Sequence, residues 1–539
     1  MSQPDELTIY LPDGHVAPPA NPYGRLIANA GVYRALARYG GYRHFHFQGR
    51  TPAEPERLAA ELLVDPDALR ISTGSLLATN SAARAGILLS GQPYLEEPAW
   101  VRRHAGHDGD YSIVGTIFAF ASATHRDQMM RSALAPLHEW DAMVCSSPSL
   151  AETVARTFDN WQDYLRERLG SDTDPPSTRP GLRLPRPQLP VIPFGTDVQA
   201  LASQASDRHA RAGLRASLQI ADDDVMVYFL GRLSYYDKAF PQAMFRSVEA
   251  AQQRTGVRTH FVLTGWFPQG DTDRDLFTEA AHRYAPHVST TFLDGNDPDV
   301  VARCWAAADV FLLLSDTILE TFGQALVEAM AAGLPLVVSD WDGYRSIVRD
   351  GVDGFLVPTL GAPGGPLGET LALLQSVDQI GYPQYAGAVA QHTAVHVPGA
   401  EAALSRLISS PQLRRTMGEA AARRARECFA WPVVTAQYAE LFTELGERRR
   451  RAAGVNNSPT SGHRMNPLRS DPFVDFRALP TSTLTDDLLV RLSPEVDAAA
   501  GAAHAELSTG LDHKFPGLRG TADEADLVID ALRRSGPLT

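Results

Sequence analysis

The sequence between residues 310 and 338 limits the possible folds of this chain more than any other stretch. An apolar run at residues 310–314 has the length and composition of a buried strand. Apolar residues then recur at the three- and four-residue spacing of one helix face, namely Phe322, Ala325, Leu326, Ala329 and Met330. Gly333 predicts the end of that helix, and residues 334–338 begin a second buried strand. This order predicts one unit of a parallel α/β sheet.

Two carboxylates, Glu320 and Glu328, bracket the predicted helix. Eight residues of α-helix rise about 12 Å, which is close to the distance between the sugar and the ribose of a nucleotide sugar. Free N–H groups at the helix N-terminus suit a diphosphate, and each carboxylate could accept hydrogen bonds from hydroxyl groups. The alternative for an isolated pair at this spacing is that both glutamates are solvated helix residues.

Residues 320–340, ETFGQALVEAMAAGLPLVVSD, resemble the donor-site motif of the GT-B glycosyltransferases, specifically glycosyltransferase family 4. The family motif has Glu, Phe-Gly, Glu-Ala-Met-Ala and Gly-x-Pro-Val-Val, and Leu336 replaces the first Val here. The resemblance implies an α/β fold in which two Rossmann-like, doubly wound parallel-sheet domains face a cleft. It also implies that Glu320 orients the donor sugar as a catalytic residue and that Glu328 binds the ribose. Phe322 and Gly323 of the motif are further donor-binding candidates.

A second motif follows the apolar run at residues 225–230. Gly231-Arg232-Leu233, with Lys238 six residues after Arg232, resembles the family's Gly-Arg-x(n)-Lys-Gly loop, although Ala239 replaces the last Gly. The resemblance implies that Arg232 and Lys238 hold the donor diphosphate. A departing nucleoside diphosphate gains negative charge, so fixed cations lower the barrier. Gly265, after the strand predicted at residues 260–263, is another donor-binding candidate.

The N-terminal region predicts a strand at residues 7–11, a turn at 12–14 and a helix at 26–39. No G-x-G-x-x-G motif is present, which disfavours a nicotinamide dehydrogenase. The resemblance implies that the loop containing Gly24 faces the cleft between the domains. Gly24 is therefore a candidate for close backbone approach to a ligand, and the alternative is an ordinary turn glycine.

The family usually carries a histidine after the strand that corresponds to residues 111–123. Phe118 stands at that position here, and His125, seven residues later, is a candidate to reach the cleft from the loop. Phe194 also departs from the family, because it replaces the usual Asn in the strand-to-linker element at residues 191–197. The departure at position 118 keeps a catalytically silent protein open as an alternative.

The 539-residue chain is too long for a single core. We expect an acceptor-side domain at residues 1–195, a donor domain at 196–430 and a crossover helix at 431–451. Residues 452–539 form a linker and a C-terminal extension without an assigned role. A proline-rich stretch at residues 171–190 predicts an exposed loop.

A net charge of −14 argues against nonspecific binding of nucleic acid. Three widely spaced cysteines fit a reducing compartment without a disulfide framework. The acidic N-terminus has no apolar signal region, and no apolar stretch is long enough to span a membrane, so we expect a cytoplasmic protein. The run from Arg448 to Arg451 is expected to be solvated, with peripheral contact to anionic lipid as the alternative.

Asp271 and Asp273 have the Asp-x-Asp form of some metal sites, but their acidic, glycine-bearing surroundings predict an ordinary loop. We therefore expect neither a bound metal nor another cofactor. The function predicted from the sequence is transfer of a sugar, with retention of anomeric configuration, from a nucleoside diphosphate sugar to an unidentified acceptor. The alternative is a silent GT-B subunit that binds a nucleotide sugar or a partner glycosyltransferase. The sequence leaves the sugar, the base and the oligomeric state open.

Overall fold

The computed structural model describes residues 5–17, 24–50, 53–65, 67–169, 186–455, 463–494 and 522–538. Most of the loop predicted at residues 171–190 lies outside this set. Contacts group the chain into two compact units, Met1–Arg464 and Met465–Thr539.

The N-terminal part of the first unit is built on a six-stranded parallel sheet. Its strands are β1 (Glu6–Tyr10), β2 (His44–Gly49), β3 (Arg70–Ser75), β4 (Ile87–Ser90), β5 (Ser112–Ile117) and β6 (Ala142–Cys145). The spatial order is β3-β2-β1-β4-β5-β6, which is the doubly wound order of nucleotide-binding domains. All residues of β4, β5 and β6 are buried, as expected for strands covered on both faces.

Helices connect these strands and cover the sheet. They are α1 (Gly24–Tyr39), α2 (Pro55–Leu62), α3 (Asn80–Ala85), α4 (Glu96–Ala105), α5 (Ala123–Met130) and α6 (Pro148–Leu169). The buried Arg102 of α4 makes two 2.7 Å hydrogen bonds to Asp141, which satisfies both charges inside the domain.

A second six-stranded parallel sheet follows. Its strands are β7 (Val225–Leu230), β8 (Thr259–Gly265), β9 (Ser289–Asp294), β10 (Val310–Leu313), β11 (Leu336–Ser339) and β12 (Gly354–Val357), in the order β12-β11-β10-β7-β8-β9. The helices are α7 (Val198–Ala205), α8 (Arg208–Ser217), α9 (Pro241–Thr255), α10 (Asp271–Tyr284), α11 (Pro298–Ala307), α12 (Gln324–Ala331) and α13 (Tyr344–Ile347).

An excursion that the sequence did not predict leaves this sheet after β12. Two short antiparallel strands, β13 (Thr359–Gly361) and β14 (Thr393–Val395), form its stem. The helices α14 (Pro366–Ser376) and α15 (Tyr382–Gln391) lie between them in sequence. We call residues 359–395 the cap. The helices α16 (Val397–Ser409) and α17 (Pro411–Arg424) follow it.

The last helix of the first unit, α18 (Trp431–Val455), returns to the N-terminal sheet domain, as the resemblance implies. The Trp431 ring lies against Gly31 of α1, where an added Cβ would approach it to 2.6 Å. Arg449 donates hydrogen bonds to the Gly86 carbonyl at 2.9 Å and to Ser112 Oγ at 2.8 Å. The prediction of a solvated arginine run is therefore wrong for Arg449, which fastens the helix end to the first domain.

The predicted α/β architecture of two doubly wound parallel sheets is confirmed. In the second unit the structure describes α19 (Pro472–Asp475), α20 (Ala522–Ser535) and a backbone bridge between Val490 and Leu538. None of the helices in the described ranges combines the length and the apolar character that crossing a membrane requires. All three cysteines are free.

Candidate functional site

The loop between β10 and α12 carries the predicted catalytic glutamate. The helix begins at Gln324, so Glu320 lies four residues before its first residue rather than at its mouth. The estimate of about 12 Å for eight helical residues therefore does not apply to the two glutamates. Gly323 caps the helix with a φ of +105°, and an added Cβ would lie 2.5 Å from the Tyr344 ring. Both facts require glycine at this turn.

Phe322 also precedes the helix, and it is buried. The predicted helix face therefore begins at Ala325 instead, and its buried members are Leu326, Ala329 and Met330. Phe322 therefore packs behind the loop and is not a helical residue.

Glu320 forms an ion pair with Lys238, so the structure brings these two predicted donor-site residues together. Their side chains are only 14% and 16% exposed. Burial acts to raise the pKa of Glu320, but the charge and hydrogen bond of Lys238 and the charge of Arg232 hold it below its ordinary value. Glu320 is therefore an anion at neutral pH, paired with a cation that the sequence assigns to a diphosphate.

Arg232 pairs with Asp237 at 2.8 Å, and both side chains are largely buried. An added Cβ on Gly231 would lie 3.0 Å from Lys238 Cε, so the lysine side chain folds back over the end of β7. The two predicted phosphate ligands thus lie on one loop, and each faces a carboxylate.

Glu328, the fifth residue of α12, is partly buried. Burial raises its pKa to about 7, against the opposing effects of Gln324 and the charge of Lys238. Lys238 therefore influences both glutamates, although only Glu320 pairs with it directly.

Two further buried carboxyl groups near this loop were missed from the sequence. Asp316 accepts from the Phe240 N–H at 3.3 Å, and burial raises its pKa to about 7. Asp342 accepts from Ser147 Oγ of the first domain at 2.6 Å, and burial raises its pKa to about 6. The Asp342-Gly343 turn was the available sequence signal, but it gave no indication of a contact 195 residues away.

A cavity of about 300 Å³ opens at the carboxyl ends of β8 and β9. Gly265, Trp266, Phe267, Gly270, Asp271, Arg274, Phe292, Leu293 and Asp294 line it. Of these, the sequence singled out only Gly265 as a site residue. An added Cβ on Gly265 would lie 1.9 Å from the Gly231 carbonyl oxygen, so glycine also lets the ends of β7 and β8 meet. In open parallel sheets, ligands bind beyond the carboxyl ends of the strands.

Asp271 and Asp273 lie in the first turn of α10, so the predicted loop is wrong. Asp273 is buried and accepts from the Gln269 N–H at 3.0 Å, while Asp271 lines the cavity. Within the described ranges, no group of three or more potential His, Cys, Asp or Glu ligands is gathered around one point.

The first domain contacts the Glu320 loop directly. Thr321 Oγ1 donates to the Phe118 carbonyl at 2.8 Å, and Ser146 Oγ donates to the Thr321 carbonyl at 3.3 Å. Gln324 Nε2 donates to the Gly195 carbonyl at 3.0 Å. Hydrogen bonds to the first domain therefore hold the segment next to Glu320.

The two departures from the family pattern contact each other. The Phe118 and Phe194 rings stack at 5.0 Å with an interplanar angle of 2°. Phe194 in turn meets the edge of Phe322 at 5.2 Å. We call these three residues the aromatic stack. Phe118 therefore fills its position by packing with a second substituted residue rather than leaving a gap.

The other two candidates lie in the first domain. His125 is the third residue of α5, not part of the predicted loop, and its partly buried ring lies 6.1 Å from the Tyr94 ring. Gly24 is the first residue of α1, and no described atom lies within 4 Å of the position that its Cβ would take. Packing therefore does not require glycine at position 24.

Residues 211–360 match the family model described as glycosyl transferases group 1. D-inositol 3-phosphate glycosyltransferase of Nocardia farcinica is 31% identical over 32% of this chain and 37% of its own length. Phosphatidyl-myo-inositol mannosyltransferase of Mycobacterium tuberculosis is 34% identical over 31% of this chain and 39% of its own length. These alignments thus span less than two fifths of either relative.

Solved structures share the fold over most of the chain. Anabaena Alr3699/HepE, crystallised with UDP and glucose, superposes with a TM-score of 0.51 at 16% identity, covering 81% of this chain and 99% of that one. A glycosyltransferase of Rickettsia africae gives a TM-score of 0.50 at 13% identity, covering 84% and 99%. The predicted fold is confirmed: the chain has the fold of the GT-B glycosyltransferases, and residues 211–360 match the group 1 glycosyltransferase model.

Proposed function

We propose that the protein is a retaining glycosyltransferase that moves a sugar from a nucleoside diphosphate sugar to an acceptor hydroxyl. The observation that carries this proposal is the buried Lys238–Glu320 pair, which places a fixed anion and a fixed cation at the cleft. With Arg232, the lysine would stabilise the diphosphate as it leaves. Glu320 would orient the sugar, and Glu328 would accept hydrogen bonds from the ribose.

The nucleoside would occupy the cavity beyond β8 and β9. Aromatic walls and a few polar groups, including Asp294, suit a planar base with hydrogen-bonding edges. The cavity shares Gly265 with the tight contact at the end of β7, which places it beside the loop of Arg232. This neighbourhood supports a single extended site for base and diphosphate.

In the proposed reaction, the bond between the sugar C1 and the diphosphate oxygen breaks. The acceptor oxygen forms a new bond to C1 on the same face, and its proton passes to the departing diphosphate. The resemblance assigns two protein cations, Arg232 and Lys238, to the diphosphate, so we propose that the reaction does not need a metal ion. Activity should survive EDTA, and loss on chelation that manganese or magnesium restores would contradict this part of the proposal.

The acceptor is not identified. The curated relatives are named for inositol phosphate and phosphatidylinositol acceptors, so inositol derivatives are the first acceptors to test. UDP-, GDP- and ADP-sugars should be screened as donors, with hydrolysis of the donor as the readout when no acceptor is present.

One observation favours a second candidate, a silent subunit that binds the nucleotide sugar without reacting it. Phe118 cannot exchange protons or form polar contacts with the donor sugar through its side chain. The stack with Phe194 argues against Phe118 being an inactivating substitution, because the two residues that differ from the family pattern pack against each other.

Glu320→Gln separates the two candidates. In an active enzyme, loss of the anion should lower kcat by about 10²–10³-fold, the scale of one preorganised electrostatic contact. Affinity for the nucleoside diphosphate alone should hold or increase, because the substitution frees Lys238 from its partner. Binding without any turnover of any donor by the wild-type chain would favour the silent subunit.

A further inference from the structure

The cap, residues 359–395, covers the loop that carries Arg232 and Lys238. Gly387 of α15 lies against Tyr236 of that loop, where an added Cβ would be 3.0 Å from Tyr236 Cβ. The match to the group 1 family ends at residue 360, so nearly all of the cap lies outside the matched domain. The family resemblance therefore assigns no role to its residues.

Several buried polar atoms in this region have no hydrogen-bond partner in the described part of the chain, and three of them carry the argument. They are the hydroxyl of Tyr382, the first residue of α15, Oδ1 of Asp237 and Nε of Arg126. The other carboxylate oxygen of Asp237 accepts from Arg232 at 2.8 Å. Buried polar groups nearly always have partners in folded proteins, so unpaired ones beside a cleft indicate where a ligand or water completes the set.

Electrostatics connect the three groups. Burial is the main cause that raises the pKa of Tyr382 to about 12, and the charge of Asp237 adds to the increase. The charges of Arg232 and Arg126 oppose it. Arg126 belongs to α5 of the first domain, whereas Arg232 and Tyr382 belong to the second. The phenol therefore lies within electrostatic range of guanidinium groups from both sides of the cleft.

The two donors among these groups, Arg126 and Tyr382, favour an anion. Guanidinium groups match phosphoryl oxygens in geometry and charge, and a phenol adds a neutral donor. Arg232 and Lys238 are each paired with a carboxylate, while Arg126 forms no ion pair with any described residue. Arg126 therefore brings to the cleft a guanidinium group that no described carboxylate pairs with.

We propose that Arg126 and Tyr382, together with Arg232, form a phosphoryl-binding site that spans both domains beneath the cap. The inference rests on the proposed function and extends it to residues outside the recognised motifs. The phosphoryl group belongs either to the donor diphosphate or to a phosphorylated acceptor.

The test is calorimetric titration of the full-length chain and its variants with two probes. One probe is the nucleoside diphosphate that the wild type binds, chosen among UDP, GDP and ADP. The other is inorganic phosphate, titrated with that nucleoside diphosphate already saturating. Arg126→Ala should weaken binding of one probe by roughly ten- to hundredfold, and Tyr382→Phe by about two- to tenfold.

Two matched controls lie nearby. Arg131 is an exposed arginine just beyond α5, and Tyr385 lies on α15 one turn from Tyr382. Arg131→Ala and Tyr385→Phe should bind both probes within about twofold of the wild type, since neither removes a proposed contact. Thermal unfolding of every variant shows whether it is folded. If Arg126→Ala does not fold, Arg126→Lys and Tyr382→Phe decide the question.

The outcomes separate the sources of the ligand. A loss confined to the nucleoside diphosphate identifies the donor diphosphate, and a loss confined to inorganic phosphate identifies a phosphorylated acceptor. Folded Arg126 and Tyr382 variants that bind both probes as the wild type does would overturn the inference. A wild-type chain that binds none of the three nucleoside diphosphates contradicts the proposed function instead, and inorganic phosphate alone then tests the site.

Discussion

At the scale of single residues, Lys238 has two possible anionic partners, Glu320 and the donor diphosphate. It neutralises Glu320 in the structure, and in the proposed function it also binds the diphosphate. An anionic ligand must therefore share or displace the carboxylate. Because desolvation alone would raise the pKa of Glu320, the lysine is what keeps this carboxyl group ionised.

Lys238→Ala should weaken binding of the nucleoside diphosphate by about 1.5–3 kcal/mol, the value of one charge-assisted hydrogen bond. It should also raise the pKa of Glu320, because burial then acts without an opposing charge. Calorimetric titration measures the first effect, with the exposed Arg246→Ala on α9 as the control. Wild-type affinity in Lys238→Ala would remove this lysine from the phosphate site.

Glu328 makes the site sensitive to pH. Its pKa is raised from 4.5 to about 7, so the folded state holds a proton that the unfolded state has lost. The free energy of unfolding should therefore fall as the pH rises from about 4.5 to 7, by on the order of 1–3 kcal/mol for this group. The raised pKa of Asp316 changes stability in the same direction. The contribution of Glu328 is therefore the difference between the pH profiles of the wild type and Glu328→Gln.

Loss of the Glu328 proton should strengthen ligand binding, although it lowers the free energy of unfolding. A ribose hydroxyl donates best to an ionised carboxylate, so affinity for the nucleoside diphosphate should increase between pH 6 and pH 8. Glu328→Gln should lose this increase. Chemical denaturation and calorimetry at both pH values measure the two effects, and an unchanged pH profile in the variant would exclude Glu328 as their source.

At the scale of elements, the aromatic stack joins three segments. Phe118 follows β5, Phe194 precedes α7, and Phe322 lies in the loop before α12. The Phe118 backbone also accepts the hydrogen bond from Thr321, which is adjacent to Glu320. The stack therefore holds the loop that carries Glu320 from the first domain.

Phe118→His should destabilise the protein by about 1–2 kcal/mol, since it removes part of a stacked aromatic pair. Placing the family residue at position 118 alone should not raise kcat, because Phe194 remains as its neighbour. The double variant Phe118→His/Phe194→Asn should lose less than the sum of the single losses, as expected for residues in contact. A double-mutant cycle compares the unfolding free energy and kcat of the wild type, the two single variants and the double variant. Strictly additive losses would show that the two rings act independently.

At the scale of the whole first unit, α18 ties the C-terminal part of the chain to the first domain. Arg449 makes the two hydrogen bonds at its far end, and desolvation lowers the pKa of its guanidinium. The neighbouring Arg451 is exposed and pairs with Glu447 at 3.0 Å.

Arg449→Ala should lower the free energy of unfolding by about 1–3 kcal/mol, because Gly86 and Ser112 lose a charged donor. Arg451→Ala should change it by less than about 0.5 kcal/mol, as is usual for an exposed ion pair. Urea denaturation of the two variants provides the comparison. Equal losses would mean that the contact at Gly86 does not fasten the helix.

The sequence by itself indicated a parallel α/β architecture, because strands such as β7, β10 and β11 are local apolar runs separated by helical spacing. It also brought Glu320, Lys238 and Arg232 to attention, since their motifs lie next to strand ends. It misplaced the start of α12, because Phe322 continues the helical spacing although Gly323 has a backbone conformation outside the helix.

Only the tertiary structure decided which charges meet. Lys238 and Glu320 are 82 residues apart, and the Asp342–Ser147 contact joins residues 195 apart. Such pairs depend on how two sheets and their loops are placed, which no local pattern encodes. For the same reason, no sequence pattern pointed to the cap or to Arg126. Their proposed role depends on polar atoms that become buried only where the two sheet domains meet.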